Sequence, residues 1–259
     1  MDSRPNRIML LKIPVDIVKP EEMPDLISGM IRQEKKSKTR PNELATKKDI
    51  VLLSLWDLLR ARRNNEYREY LFNAVLVIPI SKSLVTGAKF LTGKKVYRYM
   101  PFNFSISLLS ILEKMEYPLY LLGSESKILK KAEKNIRSTF PRLKIIGRFE
   151  GKIRKHEEPA VIEAIRKSSP SLLLAGKGIR GKELWISRNS DRLNLGFRLW
   201  CSDLFDVFAE KKYRPSDAVF DKGLESFGYF FRNPLRFFRI FPYIYYKILL
   251  LHYRLFRNR

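Results

Sequence analysis

Six short apolar runs punctuate the chain: Ile50–Ser54, Ala74–Ile78, Pro118–Leu122, Leu143–Ile146, Ser171–Ala175 and Phe197–Cys201. Each is apolar almost throughout rather than alternating, and most end at a turn residue. That is the pattern of strands buried on both faces of a parallel sheet. Between the runs the period changes to that of a helix. In Ser126–Phe140, Ile128, Ala132 and Ile136 recur every four residues with lysines between them. His156–Lys167 puts Val161, Ile162 and Ile165 on one face, and Phe104–Met115 groups Leu108, Ile111, Leu112 and Met115. Such alternation predicts an α/β, Rossmann-like fold: a mainly parallel sheet with helices on both faces. Ligands in such folds sit beyond the carboxyl ends of strands. Gly123–Glu125 and Gly176–Lys182 both occupy such positions.

Two segments break the pattern. Arg32–Lys48 is polar and basic without apolar periodicity, and reads as a surface loop within one domain. Residues 216–259 read as a helical, membrane-associating appendage to an α/β domain spanning 1–215. Phe230–Arg259 holds seven Lys or Arg, no acid and ten Phe or Tyr, and Pro234 and Pro242 are expected to divide it into short helices. Its aromatic and leucine side chains suit a bilayer interface, while its basic groups suit anionic headgroups. Arg236, Phe237, Phe238, Arg239, Tyr245, Tyr246, Lys247 and Arg254 are the expected membrane contacts. The plainer alternative is a terminal helix packed on the core. A nucleic-acid groove is disfavoured, because Ile248, Leu249, Leu250 and Leu251 add apolar bulk that stacking on bases does not require.

Composition narrows the class. The 259 residues are 45% hydrophobic with 17 Phe and 12 Tyr, so the chain can bury a substantial core. Cys201 is the single cysteine, which excludes an intrachain disulfide. Together with His156 and His252, far apart in sequence, it makes no zinc pattern. The N-terminal apolar run is interrupted by Lys12 and Pro14, unlike a secretion signal, and no run of about 18 apolar residues predicts a membrane span. The formal charge of +24 favours polyanionic partners: nucleic acid, anionic lipid or phosphorylated substrates. Residues 216–259 contain eight basic and three acidic side chains, so most of the excess lies on the body, where it also serves solubility.

The richest local signal is Ser171–Ile186, SLLLAGKGIRGKELWI. A buried strand meets Gly176-Lys177-Gly178, and Glu183 and Trp185 then open a helix. Gly176 and Gly178 either end the strand or admit a phosphate close to the backbone. Lys177, Arg180 and Lys182 are diphosphate-neutralising candidates or ordinary loop charges. Glu183 is a sugar ligand or a helix cap, and Trp185 reads best as core. Asp206 is a substrate-binding carboxylate or a partner for Arg214. His156 reads as a helix-start or surface residue.

Within a stretch that runs from about Ile50 to Phe241, Gly123, Pro141, Gly147 and Gly151, then Gly176, Gly178, Glu183 and Trp185, then Phe205-Asp206, Arg214, Gly223-Leu224-Glu225 and Pro234 occur in this order. In order and spacing they resemble the WecG/TagA/CpsF family of bacterial glycosyltransferases. The resemblance implies transfer of an N-acetylhexosamine from a UDP-sugar donor to a polyprenyl-diphosphate-linked glycan acceptor. It places the chain as a peripheral protein at the cytoplasmic face of the plasma membrane, in cell-surface polysaccharide synthesis. It implies inverting chemistry with no cofactor or metal. The matching positions Gly123, Gly176, Gly178, Glu183, Asp206 and Arg214, together with the charged candidates Lys177, Arg180 and Lys182, are the expected substrate contacts. The chain departs from the family at its chemical centre. Ile80 stands where the family carries a catalytic Asp, and Asn103 stands in a second acid position. Arg180 and Lys182 replace a Pro and a Gln of the glycine turn. The catalytic base is therefore open, with Asp203 a candidate substitute. Three readings follow: an active transferase, a member that binds a nucleotide-sugar or glycolipid without turnover, or a basic nucleic-acid- or membrane-binding protein on a similar sheet.

Overall fold

The structure is a computed structural model that describes residues 5–37, 48–193, 195–214, 216–222 and 240–256, with the side chains of 33–37 left out. Two strands precede the expected six: β1 (Asn6–Leu10) and β2 (Ile13–Ile17) form an antiparallel hairpin. The other strands are β3 (Asp49–Leu53), β4 (Leu76–Pro79), β5 (Leu119–Leu122), β6 (Ile145–Phe149), β7 (Leu172–Ala175) and β8 (Phe197–Trp200). They form one six-stranded sheet in the order β4-β3-β8-β7-β5-β6, with every pairing parallel. The six apolar runs thus correspond to its six strands.

Both faces are covered, as the continuous apolar runs require. Ile50 and Leu52 point into one core with α1 (Met23–Ser37), α5 (Pro101–Lys114), α6 (Ser126–Thr139) and α10 (Leu204–Phe208). Val51 and Leu53 point the other way. On that face lie α2 (Leu55–Ala61), α3 (Asn65–Asn73) and α4 (Lys82–Thr92) with the hairpin, and α7 (Glu158–Ser168), α8 (Glu183–Arg188) and α9 (Ser190–Leu193) farther along the sheet. The remaining helices are α11 (Asp217–Lys222) and the C-terminal α12 (Ile240–Phe256).

The hairpin covers the β4 edge through one buried carboxylate. Asp16 accepts from Arg7 Nε and Nη2 at 2.6 and 2.9 Å and from the Val77 N–H at 2.6 Å. Burial raises the Asp16 carboxyl above its ordinary value, while the Arg7 and Val77 bonds pull the other way. An edge N–H that would otherwise need a strand partner is satisfied by a side chain.

Two sequence expectations change. Six residues of the supposed basic connector, Arg32–Ser37, continue α1, which Met23, Ile27, Met30 and Ile31 anchor to the core; its remainder up to 47 lies outside the described residues. Pro242 does not divide the tail. It is the third residue of α12, in the first turn, where a missing N–H costs no intrahelical bond. Pro234 and the membrane candidates Arg236, Phe237, Phe238 and Arg239 lie outside the described residues.

Helix α12 packs on the α/β body and presents two faces. Tyr246 and Leu250 are buried in the same core as α4, and the Tyr246 hydroxyl donates to the Ser83 carbonyl at 3.2 Å. Gly87 makes the fit possible, since a Cβ there would collide with the Tyr246 hydroxyl. Tyr246, expected at a membrane, therefore faces inward. Arg62 donates to the Tyr253 hydroxyl, and Arg254 donates to the Phe90 carbonyl and stacks on its ring. Lys247 is exposed, and Tyr245 lies beside the Arg63 guanidinium. On the outer face Phe241, Ile244, Ile248, Leu251 and Leu255 form an exposed stripe at helical spacing. No helix among the described residues is long and apolar enough to cross a membrane.

Candidate functional site

Chain direction creates a crevice between β3 and β8. After β3 the chain passes into α2 on one face of the sheet, and after β8 it passes into α10 on the other. Beyond these strand ends, where the connections diverge, lies a cavity of about 650 Å³. Its walls come from Ser54, Asp57 and Arg60 after β3, Tyr67 and Tyr70 on α3, Lys177, Gly178, Lys182 and Glu183 after β7, and Cys201, Ser202 and Asp203 after β8. A second cavity of about 330 Å³ adjoins it and shares Ile80, Pro101, Cys201 and Asp203. Lys82, Arg98, Lys212 and Arg214 give the second cavity its charge, and Phe102, Phe220 and Tyr243 give it aromatic walls. The two form one crevice with Ile80 and Asp203 at the junction.

The glycine turn is built by three converging loops. A Cβ on Gly123 would lie 2.7 Å from the Gly176 carbonyl oxygen, and one on Gly151 would lie 2.6 Å from that of Lys177. The Gly176 N–H donates to Leu122 and the Lys177 N–H to Ser202. Gly176 also faces the Phe205 ring, which a Cβ would meet at 2.6 Å. Gly123 and Gly176 thus lie behind the cavity and support its wall by close packing. Gly178, at φ 97°, reaches the cavity surface, and Lys182 holds a left-handed φ of 53° beside it. Arg180 is exposed outside the lining.

The charged groups sort into pairs. Asp206, 3% exposed, sits 2.6 Å from Lys177 Nζ, so its cationic partner is Lys177 and not Arg214. Its Oδ1 has no hydrogen-bond partner among the described residues. Arg214 instead donates to Asp217 at 3.1 Å and stacks on Phe102, while its buried Nε has no partner among the described residues. Glu183, at the first position of α8, is buried in an ion pair with Arg60 of α2, and that guanidinium lies 4.0 Å from the Tyr67 ring centroid. Glu183 therefore ties the glycine turn to the helix after β3. Asn103, in the first turn of α5, donates to Asp217 at 3.2 Å and lies outside both linings.

Asp57, Arg60, Tyr67 and Tyr70 escaped the sequence reading. A signal was present in Ser54-Leu-Trp-Asp57, a capping box directly after a buried strand. The Ser54 amide and hydroxyl donate to Asp57 Oδ2 at 3.0 and 2.5 Å, which fixes the start of α2 at the cavity wall. Burial, and next the Asp57 and Glu183 charges, raise the Tyr67 hydroxyl well above its usual range, so it stays a neutral donor. Burial likewise pushes the Cys201 thiol up to about 12. Among the described residues no three His, Cys, Asp or Glu side chains gather as a metal ion would need.

A protein named N-acetylglucosaminyldiphosphoundecaprenol N-acetyl-beta-D-mannosaminyltransferase, from Bacillus subtilis (strain 168), is 21% identical over 180 residues, covering 70% of this chain and 70% of its own. The profile described as glycosyl transferase WecG/TagA/CpsF family matches residues 8–259, from the N-terminal hairpin through the C-terminal helix. That match covers nearly the whole chain, so the chain belongs to the WecG/TagA/CpsF family of glycosyltransferases.

Proposed function

We propose that the protein transfers an N-acetylhexosamine from a UDP-sugar to a glycan carried on a polyprenyl diphosphate, at the cytoplasmic face of the plasma membrane. One observation carries the reading: two adjoining cavities, both bordered by cations, share one junction beyond the strand ends. The larger cavity has the size of a small-molecule site, and Arg60, Lys177 and Lys182 stand around it. It suits the donor, with Tyr67 and Tyr70 as apolar and hydrogen-bonding walls. The smaller cavity combines Lys82, Arg98, Lys212 and Arg214 with aromatic walls. It suits the acceptor diphosphate, and Tyr243 leads from it onto the exposed stripe of α12, where the polyprenyl chain and anionic lipid meet the protein.

In this reading the acceptor hydroxyl attacks the anomeric carbon, the bond to the UDP oxygen breaks, and UDP leaves as an anion with the bonding electron pair. Lysine and arginine side chains stabilise that charge, and the reading invokes no metal. The relative's printed name, with its N-acetylglucosaminyl diphospholipid acceptor and N-acetylmannosaminyl donor group, supports the two substrate classes.

The test is titration of UDP-N-acetylhexosamines, followed by turnover with a lipid-diphosphate-linked N-acetylglucosamine. UDP release matched by a lipid-linked disaccharide is expected. Saturable donor binding without product would favour a second reading, a non-catalytic nucleotide-sugar binder, which the apolar Ile80 at the junction recommends. Absence of donor binding would refute both.

A further inference from the structure

We infer that Asp203 is the group that takes the acceptor proton, a role relocated from the position now held by Ile80. This rests on the transferase reading above and names the base that reading leaves open. Two substrates in adjoining cavities can react only where the cavities join. Four residues border both cavities: Ile80, Pro101, Cys201 and Asp203. Isoleucine and proline side chains accept no proton. Cys201 is buried and its thiol is held protonated far above neutrality. Asp203 is the carboxylate at the junction.

The other carboxylates near the crevice are committed elsewhere. Asp57 closes the capping box of α2. Glu183 is buried against Arg60. Asp206 is buried against Lys177 and lies outside both linings. Asp203 is half-exposed, and its Oδ2 meets Lys212 Nζ at 2.5 Å.

Local structure adds a second observation. Asp203 is the N-cap residue of α10, a position where an aspartate ordinarily bonds the helix's own amides. Here the side chain makes no capping bond and is directed to Lys212 at the cavity rim. The chain forgoes a local stabilisation and holds a carboxylate at the junction instead. Lys212 fixes that carboxylate in place. The Lys212 N–H itself donates to the Asp206 carbonyl at 3.1 Å, so the pair is hung from α10. The step balances: the hydroxyl proton passes to Asp203, the oxygen bonds the anomeric carbon, and UDP departs with the electron pair of the broken bond.

The test is steady-state kinetics of the full chain with a UDP-N-acetylhexosamine and a lipid-diphosphate-linked N-acetylglucosamine. Asp203→Asn is expected to lower kcat by roughly 100-fold or more, with donor affinity by titration within about threefold of the parent. Asp203→Glu, which restores a carboxylate, is expected to recover at least about tenfold over Asp203→Asn. The half-exposed site makes folded variants the expectation, and an unchanged thermal midpoint checks it. A kcat for Asp203→Asn within about threefold of the parent would overturn the assignment and leave the transferase reading standing. A parent protein that binds donor yet releases no UDP would overturn both. Equal loss in the Asn and Glu variants would show that a carboxylate at this position is not what turnover requires, and would also overturn the assignment.

Discussion

The Arg60–Glu183 pair offers the sharpest test of how the site is held. It joins the helix after β3 to the first residue after the glycine turn, across the larger cavity. Glu183 is 6% exposed and Arg60 34%. Removing one partner of a fully buried pair costs about 3–5 kcal/mol, because the other charge is stranded. Arg60→Ala strands the buried carboxylate and also removes the guanidinium from Tyr67, so it should cost about 3–4 kcal/mol. Glu183→Ala strands a guanidinium that water already reaches, and should cost only about 1.5–2.5 kcal/mol. Thermal unfolding reads the difference, since about 1 kcal/mol moves the midpoint of a chain this size by roughly 2–4 °C. The double variant should show a coupling of at least about 1 kcal/mol. Costs below about 0.5 kcal/mol for both single variants, adding without coupling, would refute the claim that this pair clamps the turn.

Four other outcomes follow from the same structure. Asp16→Ala strips the β4 edge of its side-chain acceptor and takes the carboxylate from Arg7, which keeps its bond to the Ala74 carbonyl, and should lower stability by about 2–4 kcal/mol in urea titration. Gly87→Val drives a side chain into Tyr246 and should undock α12, read as accelerated proteolysis of the C-terminus with the sheet intact. Cys201 should resist iodoacetamide at pH 8 in the folded protein; because its thiol is raised from about 9 to about 12 by burial, its contribution to stability is complete below pH about 9 and is lost as pH climbs towards about 12. Ile248→Glu with Leu251→Glu alters exposed positions on α12 and should weaken binding to anionic vesicles without moving the thermal midpoint; unchanged binding would remove the stripe from the membrane contact.

The sheet was legible because buried parallel strands leave a strong mark, short runs that are apolar almost throughout; Arg148 in the edge strand β6 and Arg198 in β8 are interruptions that did not hide them. The hairpin was not, because its turn uses Leu11 and Lys12 at φ 50° and 66° where the usual signal is Asn or Gly. Leu11 is 1% exposed, so tertiary packing holds a turn that local preference disfavours. The polar end of α1 looked like a loop because Gln33–Ser37 has no apolar periodicity, while Met23, Ile27, Met30 and Ile31 anchor the helix to the core.

At the site the sequence located the β7 turn but not the division of labour within it. Gly176 was a phosphate-contact candidate in sequence, yet it makes room for the Phe205 ring, while Gly123 and Gly151 allow one backbone to approach another. Which acid meets which base depends on three-dimensional placement, so Lys177 rather than Arg214 became the partner of Asp206. Arg60 and Tyr67 carried no signal of their own, because their role exists only once α2 and α3 are folded against α8.

Transfer itself is the most direct test of the central claim. The full chain, a panel of UDP-N-acetylhexosamines and an N-acetylglucosaminyl diphospholipid in anionic vesicles are incubated together, and UDP and glycolipid are both quantified. The account predicts one donor that yields UDP and a lipid-linked disaccharide in equal amounts. Saturable donor binding with neither product, across the whole panel, would contradict it.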